Sequence, residues 1–259
     1  MTNQTVLITG ASGGIGEQFA EKFAREGYDI IASARSYDKL ILLKNRLEKT
    51  YHIKVHIFAK DLSIADEIDA LYEDIQSMNI RVDVLINNAG FGLYGEFLET
   101  DLSQELNMID LNIRSLTHLT KLVLRDMVKH NEGKILNVAS TAAFQPGPLM
   151  AVYYATKAYV LSFTEAINNE LNNTNITVSA LCPGPTATGF SDRADLAQSK
   201  LFQAGVMDVE TVVNIGYEQL FNKQTVIIPG FKNKLLANSI RFVPRKIVPS
   251  IVRNVQGKK

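Results

Sequence analysis

Short apolar runs alternate with longer amphipathic stretches along most of the chain, and this alternation restricts the fold more than any other feature. Thr5-Val6-Leu7-Ile8-Thr9 is apolar and β-branched, as a strand buried on both faces requires. Similar runs stand at 29–34, 53–59, 82–87, 134–139, 176–181 and 225–228. Helical patterns at about 15–26, 37–49, 65–78, 102–130, 150–172 and 209–221 separate them. Parallel strands need crossovers, and right-handed crossovers place helices on both sides of one sheet. The expected fold is α/β: a doubly wound, mostly parallel sheet of about seven strands with helices on both faces. No Pro/Gly/Ser linker, repeat or low-complexity tract divides residues 1–230, which are read as one domain.

The turn between the first strand and the first helix is Thr9-Gly10-Ala11-Ser12-Gly13-Gly14-Ile15-Gly16. In a doubly wound sheet this is where a dinucleotide's pyrophosphate meets a helix N-terminus, in the manner of a Rossmann-type domain. Gly10 suits the tight turn, Gly14 lets backbone approach phosphate, and Gly16 allows close packing of helix on strand. The spacing is G-x-x-x-G-x-G rather than G-x-G-x-x-G. The second strand ends Ala34-Arg35-Ser36, with no carboxylate for a ribose 2′-hydroxyl and with an arginine suited to a 2′-phosphate. NADP is therefore expected over NAD, with Ser12 and Ser36 as minor donors. Asp61, after the third strand, is read either as a contact to the adenine edge or as the N-cap of the following helix.

Equal numbers of basic and acidic residues, 27 each, argue against a nucleic-acid binder. One cysteine, Cys182, excludes an intrachain disulfide and cysteine clusters for zinc. The four histidines are scattered without ligand spacing, so no metal is expected. The N-terminus lacks a secretory pattern, and no apolar run reaches the ~18–20 residues that span a bilayer. A cytoplasmic protein is expected.

Tyr153-Tyr154-Ala155-Thr156-Lys157 lies in a helical pattern. Positions four apart share a helix face, so the Tyr153 phenol and Lys157 ammonium stand on one side. A phenol ordinarily loses its proton near pH ~10. A nearby cation favours the phenolate, so Tyr153 is expected to act as an acid or base near neutral pH.

Taken in order, Thr9-Gly10, Gly14-Ile15-Gly16, Asn87-Asn88-Ala89-Gly90, Asn112, Ser140, Tyr153-x-x-x-Lys157 and Pro183-Gly184 resemble the short-chain dehydrogenase/reductase family, from about residue 5 to 228. The resemblance implies an NADP-dependent oxidoreductase that interconverts a carbonyl and an alcohol by hydride transfer. Tyr153 would exchange a proton with the substrate oxygen, Ser140 would hold that oxygen, and Lys157 would lower the Tyr153 pKa and bind the nicotinamide ribose. Asn112 would hold a water in a proton relay. Gly10, Ser12, Gly14, Ile15, Gly16, Arg35, Asp61, Leu62, Asn88, Ala89 and Gly90 would line the cofactor groove, with Asn87 also tying strands together. Pro183, Gly184 and Thr188 would border the nicotinamide. A homodimer or homotetramer is implied, through helices at 102–130 and 150–172. Many NADP-preferring members carry a basic residue where this chain has Gly13, so NADP preference rests mainly on Arg35. Tyr154 is a rival phenol, but it stands three residues before Lys157. The alternative function is a non-catalytic NADP-binding regulator or scaffold. Intact Ser140, Tyr153 and Lys157 argue against it. A reductase of activated C=C bonds is disfavoured, because such relatives tend to space Tyr and Lys more widely.

Residues 141–152 are apolar and are expected to wall an apolar carbonyl or alcohol substrate, opposite a lid at about 186–205 that contains Arg193. Residues 231–259 carry eight Lys/Arg and no Asp or Glu, with apolar residues interleaved and Pro244 and Pro249 dividing the segment. The favoured expectation is a basic amphipathic tail packed on the domain or on a partner subunit. Contact with an anionic membrane surface is the second reading.

Overall fold

Alternation within the first strand already assigns two cores, because successive side chains of a strand point to opposite faces. In the computed structural model, which describes residues 4–190 and 205–257, strand β1 (Thr5–Thr9) is buried throughout. Its Val6 and Ile8 face one side of the sheet and Leu7 the other.

The chain continues through α1 (Gly14–Arg25), β2 (Asp29–Ala34), α2 (Tyr37–Tyr51), β3 (Val55–Ala59), α3 (Ala65–Ser77) and β4 (Val84–Asn87). Helix α4 (Leu102–Ile109), a π-helical segment (Asp110–Ser115) and α5 (Leu116–His130) then lead to β5 (Gly133–Val138). A 3₁₀ turn (Thr141–Phe144), α6 (Ala151–Glu170), β6 (Ile176–Leu181), α7 (Val209–Phe221) and β7 (Val226–Ile227) follow. The seven strands form one parallel sheet in the order β3-β2-β1-β4-β5-β6-β7. The order reverses between β1 and β4, which opens a crevice at the carboxyl ends of those strands.

On one face Phe19 and Phe23 of α1, Leu40 and Leu47 of α2 and Val212 of α7 pack on Val6, Ile8, Ile30 and Ile86. On the other, Ile68, Leu71 and Ile75 of α3 and Leu119, Val123 and Met127 of α5 pack on Leu7, Ile31, Leu85 and Ile135. Each such Leu, Ile or Phe contributes on the order of 1.5–3 kcal/mol of burial free energy. These cores hold the strand ends, and therefore the crevice, in place.

Most expected elements form with shifts of one or two residues at their ends. The strand expected at 82–87 begins at Val84 and that at 53–59 at Val55. The helix expected at 150–172 ends at Glu170. The helix expected unbroken over 102–130 is interrupted by the π-helical segment. Asp61 does not cap α3: the N-cap is Ile64, and the Asp61 carboxylate instead accepts from the Ser63 N–H at 3.1 Å and hydroxyl at 2.8 Å.

Beyond β7 the tail forms α8 (Phe231–Ser239), a 3₁₀ turn (Ile240–Phe242) and α9 (Val248–Gln256). Pro249 opens α9 rather than dividing the segment, since the first turn of a helix does not need its N–H. Val248 and Val252 bury against a cluster containing Tyr153, Tyr154, Met108 and Met150.

Candidate active site

The glycine turn after β1 is built as its sequence requires. Gly10 (φ +66°) and Gly14 (φ +56°) take left-handed conformations that favour glycine. A Cβ on Gly16 would stand 2.4 Å from the Gly10 carbonyl oxygen and 2.5 Å from the Asn88 amide nitrogen, so only glycine lets α1 approach so closely. The Thr9 hydroxyl accepts from the Asn88 and Ala89 N–H groups, both at 3.0 Å, and the Asn88 side chain donates to the Thr9 and Gly10 carbonyls at 2.9 and 3.2 Å. The loops after β1 and β4 are thereby fastened together.

A groove of about 650 Å³ runs over these strand ends. Gly10, Ser12, Gly14, Ile15, Arg35, Asp61, Leu62, Asn88, Ala89 and Gly90 line it, together with Ser140, Tyr153, Lys157, Pro183, Gly184 and Thr188. Gly16 acts from beneath, through its packing on Gly10. Asn87 is buried and does not line the groove. Its side chain donates to Asn137 and Thr120, each at 2.9 Å, tying β4 to β5 and α5.

Three polar groups in the groove escaped the sequence reading. Lys39 and Lys60 join Arg35 around its outer end. Lys39, on α2, is exposed, and Lys60, after β3, is partly buried and also pairs with Glu67 and Asp74 at 3.5 Å; neither carries a local signal in the sequence. The Ser33 hydroxyl, at the end of β2, is buried without a protein partner. Asp61 faces Arg35 at 3.9 Å. A Cβ on Gly13, whose backbone is extended, would meet nothing within 4 Å, so the space over the loop is open. Open space over a glycine turn, an unpaired hydroxyl and a cationic rim fit a nicotinamide dinucleotide.

At the inner end, Ser140 and Tyr153 line the groove together, and the Ser140 hydroxyl accepts from the Ala142 N–H at 3.1 Å. Lys157 donates to the Val138 carbonyl at 2.8 Å, and its nitrogen stands 5.8 Å from the centre of the Tyr153 ring. Burial pushes the Tyr153 phenol above its ordinary pKa, only partly offset by Ser140. Burial also pushes Lys157 down to about 8. The expected lowering of the Tyr153 pKa by Lys157 is thus reversed here: desolvation outweighs a cation that lies over the ring and bonds a carbonyl. The Tyr154 hydroxyl points elsewhere and accepts from the Gln256 amide of α9.

Asn112 sits in the π-helical segment. Its side chain exchanges bonds with the Phe91 backbone, accepting at 3.1 Å and donating at 2.9 Å. It also donates to the Thr156 hydroxyl at 3.1 Å, which binds the Tyr153 carbonyl at 2.7 Å. The partly buried Phe91 backbone groups need partners, and Asn112 supplies them while bracing α6 beside Lys157.

Ala142 and Met150 from the expected substrate wall line the groove, joined by Phe91, Tyr154 and Phe190. Phe190 packs on Tyr153 with ring centres 5.4 Å apart. Of the expected lid, residues 191–204, including Arg193, lie outside the described residues. Among the described residues no three His, Cys, Asp or Glu side chains are grouped to hold a metal, and no helix is long and apolar enough to cross a membrane.

Comparison with known proteins agrees with this geometry. Residues 4–199 match the family model for short chain dehydrogenases. The ketoacyl reductase HetN of a Nostoc species is 31% identical over 229 residues, covering 88% of this chain and 79% of that protein. The very-long-chain 3-oxoacyl-CoA reductase of Rattus norvegicus is 35% identical over 186 residues, covering 70% of this chain and 59% of that protein. A short-chain dehydrogenase from Sphingobium yanoikuyae, solved in complex with NADPH, superposes with a TM-score of 0.83 at 32% identity, covering 92% of this chain and 94% of that one. The parallel sheet, the glycine turn at its switch point and these relatives together place the chain in the short-chain dehydrogenase/reductase family of nucleotide-binding oxidoreductases.

Proposed function

We propose that this protein interconverts a carbonyl and an alcohol on an apolar substrate, with NADP(H) as the hydride carrier. The observation that carries the reading is the convergence of Ser140, Tyr153 and Lys157 on one groove, with the Lys157 nitrogen 5.8 Å from the centre of the Tyr153 ring. Hydride addition to a carbonyl builds negative charge on its oxygen. Ser140 and Tyr153 both donate hydrogen bonds to that oxygen, and Tyr153 transfers its proton. Burial keeps the phenol protonated until that moment, which suits an acid in the reductive direction. The phenolate left behind is stabilised by the Lys157 ammonium, anchored on Val138. Ser12, Arg35, Lys39 and Lys60 would hold the 2′-phosphate end, and Pro183, Gly184 and Thr188 the nicotinamide end. NADPH bound there supplies the hydride. Phe91, Met150 and Phe190 give an apolar wall, and the ketoacyl and oxoacyl groups named for two relatives are apolar chains bearing a carbonyl.

The test is a panel of apolar ketones followed by NADPH and NADH absorbance. Tyr153→Phe should lower turnover about 10²–10⁴-fold while NADPH still binds. Full turnover in that variant would refute the assignment. Tight NADPH binding with no turnover across the panel would mark a non-catalytic binder.

A further inference from the structure

Charge is divided along this chain in a way the fold does not use. Of its 27 Lys and Arg, eight lie in residues 231–259 and 19 before them, while all 27 Asp and Glu lie before them. The body thus carries a formal charge of −8 and the tail +8. The tail also has two apolar faces. Val248, Val252 and Gln256 of α9, four residues apart, are buried on the body. Ile247 and Ile251, on the adjacent stripe, are half exposed. On α8 only Ala237 is buried, while Phe231, Leu235 and Leu236 face solvent. Phe242, at the turn between the helices, is 89% exposed. Exposed Lys232, Lys234, Arg241, Arg245 and Lys246 stand among these apolar residues. Among the described residues, only Arg253 of the tail has an acidic partner, Glu96.

We infer that the outer face of residues 231–257 docks on an anionic lipid bilayer. Cations flanking projecting apolar side chains match the charged headgroups and acyl boundary of such a surface. A two-fold contact centred on this face would set it against itself, cation on cation with no acid in the segment. A nucleic acid would answer the charge but leave Phe231, Leu236 and Phe242 exposed. The inner face of the same segment forms the wall behind Tyr154, so docking would bring the apolar side of the groove close to lipid. The inference does not rest on the chemistry assigned to Tyr153.

The chain has no tryptophan, so Phe242→Trp in the full-length, NADPH-bound protein gives a single fluorescent reporter at the proposed contact. Vesicles of phosphatidylglycerol and phosphatidylcholine should blue-shift its emission and carry the protein down on sedimentation. Pure phosphatidylcholine vesicles should do neither, and high salt should reverse both effects. Combined Arg241→Ser, Arg245→Ser and Lys246→Ser substitutions should weaken partitioning about a hundredfold. NADPH binding by that variant, followed in parallel, should match the parent and so certify its fold. Equal binding to both vesicle types, no spectral shift with anionic vesicles, or a lipid-free blue shift that grows with protein concentration would each overturn the inference, the last by showing self-contact.

Discussion

The closest approach in the cofactor groove is the packing of α1 on the glycine turn, and Gly16→Ala puts a number on it. The added methyl would lie 2.4 Å from the Gly10 oxygen and 2.5 Å from the Asn88 amide nitrogen, against an ordinary limit of 3.4 Å. One of these neighbours is backbone and the other is held by two carbonyls, so neither can swing aside. The first turn of α1 must retreat by about 1 Å. Overpacking of this kind costs about 1–3 kcal/mol, offset by up to about 1 kcal/mol of alanine helix propensity. A net loss near 1–2 kcal/mol should lower the melting temperature by roughly 2–8 °C in a domain of this size. The retreat also draws the helix N-terminus away from the groove, so NADPH affinity should fall at least about tenfold, a displacement cost typical of a lost charge-assisted contact. Gly13→Ala is the control, because its methyl meets nothing and its backbone is extended. Thermal melts and NADPH fluorescence titrations of the two variants decide the matter. Gly16→Ala melting and binding like the parent would refute the claim that close packing at residue 16 shapes the cofactor loop.

Arg35→Ser should weaken NADPH binding about tenfold and leave NADH nearly unchanged, since an exposed arginine gives one charge-assisted phosphate contact; parallel titrations that shift together would remove its assigned role. Tyr154→Phe should keep turnover within a few-fold while lowering stability by about 1–3 kcal/mol, because the Gln256 amide loses its buried partner; denaturant melts and steady-state rates separate the two effects. Lys157 titrates at about 8 in the fold and near 10.5 when unfolded, so the folded state disfavours its charge. The penalty is complete below pH 8 and is relieved between pH 8 and 10.5, so stability measured against Lys157→Met should rise by roughly 3 kcal/mol across that window. A flat difference would mean that the ammonium is well solvated.

What the sequence disclosed, and what it hid, follows the range of the interactions. The glycines at 10, 14 and 16 are legible because a tight turn leaves few alternatives, and Tyr153 with Lys157 because four residues make one helix turn. Lys39 and Lys60 were not, since their meeting with Arg35 depends on how β2 and β3 pair. Gln256 reaches Tyr154 across 102 positions of chain, and nothing near either residue announces it. The direction of the pKa shift at Tyr153 was hidden for a related reason. Helical spacing gives the distance between phenol and ammonium, but burial, which dominates both groups, comes from the whole fold.

The π-helical segment at Asp110–Ser115 has a consequence for how one long helix can serve two masters. Met108 belongs to the cluster around Tyr153, whereas Leu119 belongs to the core under the sheet. Eleven residues apart on an unbroken α-helix, they would point to within about 20° of the same side. A single surplus residue in the widened turn rotates the frame by about 100°, so the segment works as a phase shifter between two packing registers. Excising one residue there would leave a better helix and a worse protein, with either the groove wall or the sheet core facing the wrong way.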